Sequence, residues 1–210
     1  VKTPLASLVG YLEAIENGMV VGEEKEEYLR VISDKAHRLK EFVISLFEWV
    51  KLDAKEQVFH FELSDLNELT RSIIADWVPT LENSRLEYEI EIPENEWSAR
   101  IDANAFTRIL NNLFQNIMVH SAATYIKLSG KEDTQRAIIS LTDNGKGIST
   151  EDLPHIFERM YQCDHSRSAN GNGLGLSITK ELVNAHKGTI SAASSPGLGT
   201  TFTIVLPKAL

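Results

Sequence analysis

The chain has 210 residues, a formal net charge of −9, 42% hydrophobic and 24% charged residues, which suits a small module joined to a larger one in an ordinary globular protein. The acidic balance gives no general attraction for nucleic acid or anionic lipid, and the single cysteine, Cys163, excludes an internal disulfide framework. No apolar run approaches the ~20 residues that a membrane span needs, and the opening Val1-Lys2-Thr3-Pro4, with neither initiator methionine nor signal peptide, reads as part of something longer.

Leu5, Leu8, Leu12 and Ile15 are spaced three and four apart. After breaks at Asn17-Gly18 and Gly22 the pattern resumes as Leu29, Ile32, Ala36, Leu39, Val43, Leu46 and Val50. This is the seam of a helical hairpin, with the second helix expected over 24–51 and the acidic cluster Glu23, Glu24, Glu26, Glu27 at the positive end of its dipole. Such a hairpin leaves apolar surface uncovered, and pairing with a second copy gives a four-helix bundle. Periodicity alone names no function.

From about Gln57 the texture becomes mixed α/β. Strands are expected over 57–63, 86–92, 98–101, 125–129, 137–142, 189–193 and 200–206. Helices are expected over 65–81 (capped by Ser64), 104–120 and 174–186. The irregular stretch 144–172 is long enough to suggest a functional loop. The fold class is α+β: a two-helix hairpin over 1–54, then an α/β sandwich over 55–210.

Four elements carry candidate chemistry. Asn112 and Asn116 lie four apart on one face of a helix, where asparagine is disfavoured and wants a polar partner; a capped or solvated face is the plainer alternative. Asp143-Asn144-Gly145-Lys146-Gly147-Ile148 follows an apolar strand. A carboxylate there can accept from an exocyclic amine while the glycines allow close backbone approach, although glycine-rich turns are common. Gly171-Asn172-Gly173-Leu174-Gly175-Leu176 opens a helix whose free amides suit phosphate oxygens. It is not a dinucleotide fingerprint, because no strand precedes it and no acidic residue ends a strand about 20 residues later. Gly197-Leu198-Gly199-Thr200 turns into the last strand.

In order and spacing these elements, with Phe157-Glu158-Arg159-Met160-Tyr161 and Lys2-Thr3-Pro4-Leu5, resemble the motif boxes of the two-component sensor histidine kinases over nearly the whole chain. The resemblance implies an ATP domain of the gyrase and MutL type, with ATP and Mg²⁺ as cofactors. Asn116 would hold the Mg²⁺, Asn112 would line the phosphate side, and Asp143 would take the adenine amino group, with Gly145, Gly147 and Ile148 around it. Residues 145–172 would form a lid anchored by Phe157 and Tyr161. Gly173, Leu174, Gly175 and Leu176 would bring a helix start to the phosphates, and His120 would lie near the nucleotide. The implied partners are a second copy, through the hairpin, and a response-regulator receiver domain. The phosphoacceptor histidine is expected two residues before Val1, its acidic neighbour one residue before, and Thr3 would orient a hydrolytic water for phosphatase activity. The parent protein is expected to be membrane-anchored with this part on the cytoplasmic side. Val119 and Gln162 stand where the family commonly has basic residues; they favour an alternative reading as a regulatory pseudo-kinase with a weakened ATP site.

Overall fold

The computed structural model describes residues 2–133, 135–163 and 173–209, apart from the side chains of residues 2–5 and 132. Two compact units divide between Val50 and Lys51. The first is the helical hairpin, α1 (Lys2–Glu16) and most of α2 (Glu23–Asp53). Helix α1 stops where Met19 N–H reaches back to the Ala14 carbonyl (2.9 Å) and Gly18 takes a positive φ. Tyr11 and Tyr28 meet edge to face at 4.9 Å, and Val9, Leu12, Leu29, Val43 and Val50 remain exposed. Among the described residues no helix is long and apolar enough to cross a membrane.

The second unit contains β1 (Glu62–Asp65), α3 (Leu66–Asn83), β2 (Glu87–Glu91), β3 (Ser98–Ile101), α4 (Ala103–His120), β4 (Tyr125–Glu132), β5 (Arg136–Asp143), α5 (Gly175–Ala185), β6 (Thr189–Ser195) and β7 (Gly199–Pro207). Five strands form one sheet in the order β2-β4-β5-β7-β6; β2 runs parallel to β4 and the other pairs are antiparallel. Alternation turns Ile126, Leu128, Ile139, Leu141, Phe202 and Ile204 inward. The amphipathic helices supply the other half of the core through Ile73, Phe106, Ile109, Leu113, Phe114, Ile178 and Val183.

Two local expectations are corrected. The strand expected over 57–63 is a ladder only at Glu62–Asp65, paired antiparallel with β3. Residues 56–61 are irregular, with the His60 N–H held by Asp102 Oδ2 at 2.8 Å. The cap of α3 is Asp65, not Ser64: Asp65 Oδ1 accepts from Asn67 N at 2.9 Å and from Trp97 N at 3.1 Å. Ser64 lies one residue further back in the ladder, opposite Ala99, while Asp65 is the last ladder residue and stands directly before Leu66, the first residue of the helix. Asp102 caps α4 in the same way, accepting from Ala105 N at 2.9 Å, while its own N–H donates to His186 Nε2 at 3.2 Å.

Candidate functional site

The period-2 pattern of β5 buries Ala137, Ile139, Leu141 and then Asp143, so the strand delivers a carboxylate to the end of the apolar face. Asp143 is 2% exposed. Its Oδ1 accepts from Gly145 N at 2.8 Å. Burial holds its carboxyl above the usual carboxylate range, against the backbone bonds from Gly145 and Thr200 that pull it down.

The turn after Asp143 is fastened on both sides. A Cβ on Gly145 would fall 2.3 Å from the Ser121 carbonyl, so only glycine lets the backbone lie on the end of α4. There Lys146 N donates to Ser121 O at 2.8 Å, and Gly197 N donates to Lys146 O at 2.8 Å. Ile148 N donates to Ser194 Oγ at 2.8 Å. Asn144 holds the start of β4, its Oδ1 accepting from Thr124 N and Tyr125 N at 2.9 Å each.

Helix α4 runs beside this turn and carries Asn112, Asn116 and His120 in successive turns. The polar partner that Asn112 needs lies on α5: its Nδ2 donates to Gly175 O and to Thr179 Oγ1, both at 3.2 Å. The side chain of the half-buried Asn116 makes no hydrogen bond among the described residues. His120 closes the helix with its Nδ1 sealed from solvent and without a partner among the described residues. Burial, then the nearby charge of Lys146, keeps its imidazole below the ordinary value of 6.5 and hence neutral at pH 7.

Helix α5 begins at Gly175 behind Leu174, which provides no side-chain cap, and the amides of Gly175, Leu176 and Ser177 meet no partner among the described residues. Leu174 is buried and Leu176 half-buried. Met160 N donates to Gly173 O at 2.9 Å, which joins the end of the Phe157–Tyr161 run to the start of the glycine run. Phe157 is half-buried. Tyr161 is tethered, its hydroxyl donating to Asp152 Oδ1 at 2.7 Å. Residues 164–172 of the expected lid, and the side chain of Thr3, lie outside the described residues.

The structure thus brings the Asp143 turn, the asparagine face of α4 and the open start of α5 together. Sequence reading missed Ser121 and Ser194, whose signal is only that of small hydroxyl residues near element ends, and Thr179, which stands inside α5 and carries no such signal. As a donor set the site suits Mg²⁺. That ion keeps several waters and takes one or two protein oxygens beside substrate phosphates, and Asn116 offers an uncommitted carboxamide oxygen. No group of three or more His, Cys, Asp or Glu able to hold a metal occurs among the described residues.

Residues 101–210 match the family described as histidine kinase-, DNA gyrase B- and HSP90-like ATPase. The sensor histidine kinase YcbM of Bacillus subtilis (strain 168) is 33% identical over 211 residues, covering 99% of this chain and 68% of that protein. The sensor histidine kinase WalK of the same organism is 31% identical over 214 residues; the chain spans only 34% of WalK's length. Histidine kinase ThkA, solved in complex with the response regulator protein TrrA, superposes with a TM-score of 0.79 at 22% identity, covering 99% of this chain and 58% of that one, a likeness of fold.

Proposed function

This chain belongs to the sensor histidine kinases, as the catalytic core of a two-component protein-histidine kinase, and on that premise we propose that its larger unit binds ATP with Mg²⁺ and passes the γ-phosphoryl group to a histidine two residues upstream of Val1. The observation that carries the reading is the buried Asp143 carboxylate where α4 ends, with the uncapped start of α5 held to Asn112 further back along the same helix. One end accepts a hydrogen bond from the adenine amine, and the other offers amides to phosphate oxygens. In this reading Asn116 holds the Mg²⁺, which supplies charge neutralisation at the phosphates. Gly145, Gly147, Ile148 and His120 line the base end, and Gly173 to Leu176 the phosphate end. The chain's own work is positioning, as is general for phosphoryl transfer. A histidine ring nitrogen attacks the γ-phosphorus, the bond from that phosphorus to the β–γ bridging oxygen breaks, and ADP leaves.

Calorimetric titration with ATP and ADP, with and without Mg²⁺, tests this. Saturable binding is expected in the wild type. In Asn116→Ala the Mg²⁺-dependent gain is lost while Mg²⁺-free binding persists; a variant that keeps the full Mg²⁺ response removes Asn116 from the metal role. A wild-type chain that folds but binds no nucleotide would favour the second reading, a regulatory pseudo-kinase, which Val119 and Gln162 support because both lack the charge that counters phosphate.

The phosphoryl group then passes to an aspartate of a response regulator docked on the hairpin, and the same surface, with Thr3, supports dephosphorylation. ThkA's complex with TrrA supports such a partner. The exposed Val9, Leu12, Leu29, Val43 and Val50 support a homodimer through the hairpin. Val43→Lys, at a site 38% exposed, is expected to convert the dimer to monomer by light scattering while leaving ATP affinity within about twofold, since burying an unpaired ammonium in an apolar seam costs several kcal/mol. Retention of the dimer mass would place the interface elsewhere.

A further inference from the structure

Thr179 is fully buried in α5, one turn beyond the helix start, in a role that neither glycine spacing nor asparagine spacing announces. Its Oγ1 donates to the Gly175 carbonyl at 2.9 Å and accepts from Asn112 Nδ2 at 3.2 Å. Asn112 Nδ2 also reaches the Gly175 carbonyl, at 3.2 Å. One carbonyl oxygen therefore receives a hydroxyl from its own helix and a carboxamide from α4. That carbonyl belongs to the same peptide unit as the Leu176 N–H, an open amide of the first turn. Donors on the oxygen of a peptide polarise it and strengthen its N–H as a donor.

We propose that Thr179 is a positioning residue for nucleotide binding. Acting with Asn112 on the Gly175 carbonyl, its hydroxyl fixes the start of α5 against α4 and polarises the Leu176 amide toward the nucleotide phosphates. The inference rests on the nucleotide-site reading above and assigns work to a residue outside the motif boxes. It also gives Asn112 a second task, as the strut between the two helices. The base end, built on Asp143 and the turn after it, is independent of this triangle.

Thr179→Val keeps the side-chain volume and removes the hydroxyl. The expected result is a loss of about five- to tenfold in ADP and ATP affinity, the size of one neutral hydrogen bond, with adenosine affinity unchanged by NMR titration and an upfield move of the Leu176 amide proton. Thr179→Ser, which retains the hydroxyl, stays within about twofold of wild type for ATP by the same reasoning. Should valine disturb the packing, Thr179→Ser against Thr179→Ala isolates the hydroxyl at equal loss of the methyl. ATP affinity unchanged in the hydroxyl-free variants, or ATP and adenosine weakened equally, overturns the proposal. If the wild-type chain binds no ATP, the nucleotide reading falls and this inference with it; wild-type binding with an indifferent Thr179→Val sinks this inference alone.

Discussion

Asp143→Asn is expected to weaken ATP binding about 100-fold and, at the same time, to raise the melting temperature of the nucleotide-free chain at neutral pH. The first effect follows from hydrogen-bond polarity. Asp143 Oδ1 is already committed to the Gly145 N–H at 2.8 Å, so an asparagine keeping that bond turns its NH₂ toward the adenine amine, donor against donor. The second follows from burial. Desolvation, the largest influence on this carboxyl, raises its folded-state pKa above 3.8 despite the bonds from Gly145 and Thr200. An acid whose pKa is raised by folding contributes most to stability below its unfolded value. That contribution is lost as pH rises through the folded value, so the cost of the buried charge is fully present at pH 7. The amide has no charge to bury. Calorimetry and thermal unfolding between pH 4 and 8 check both halves: the gap in melting temperature between variant and wild type should widen as pH rises from about 4 until Asp143 is fully ionised. An unchanged affinity, or a variant that melts lower at pH 7, would refute the assignment of Asp143 as a strained carboxylate held for a ligand.

Much of this arrangement is legible because strong periodicities set it. The heptad seam marks the hairpin, and the apolar alternation before Asp143 marks both a strand and the face to which its last residue belongs. The open start of α5 follows from the glycine run. What escaped is non-local. Ser64 and Asp65 are both good caps by type, and what decides between them is where the ladder with β3 gives way to the helix, which leaves Asp65 Oδ1 facing the amides of Asn67 and of Trp97, 32 residues away. Residues 57–61 alternate like a strand yet have no ladder partner, because β3 ends at Ile101 and Asp102 turns the chain into α4. The partner of Asn112 is 67 residues away at Thr179, a separation that no local pattern encodes.

The same distinction sorts the glycines. The resemblance places Gly145, Gly147, Gly173 and Gly175 around the ligand, and a plain glycine-rich turn is the alternative for the first two; the structure separates glycines that other backbone requires from one that it does not. Gly145 and Gly147 are pinned by Ser121 and Ser195. Their identity is therefore demanded by the fold that presents Asp143, whatever space they also leave for a nucleotide. Loss of ATP binding on replacing either would by itself say nothing about contact with the ligand.

Gly147→Ala is accordingly expected to act through the fold. Gly147 has a φ of +68°, and a Cβ there would lie 2.0 Å from the Ser195 carbonyl oxygen, 2.8 Å from its carbon and 3.2 Å from Pro196 Cα. These are backbone atoms of the β6–β7 turn and cannot rotate away. Left-handed backbone costs an L-residue about 1–2 kcal/mol, and relieving the clash adds more, for a total of about 3 kcal/mol or greater. For a chain of this size that lowers the melting temperature by roughly 6–12 °C, and ATP affinity falls with it as the Asp143 turn shifts. Gly175→Ala is the control of opposite sign. Its Cβ would meet no described atom within 4 Å, and it stands in the first turn of a helix, where alanine gains about 0.5–1 kcal/mol over glycine. It should melt slightly higher than wild type yet bind ATP more weakly, because a methyl now stands where the open amides meet phosphate. Stability and affinity falling together in Gly147→Ala, but moving in opposite directions in Gly175→Ala, would separate the scaffold of the site from its binding surface. A Gly175→Ala chain with undiminished ATP affinity would move the phosphates away from the start of α5.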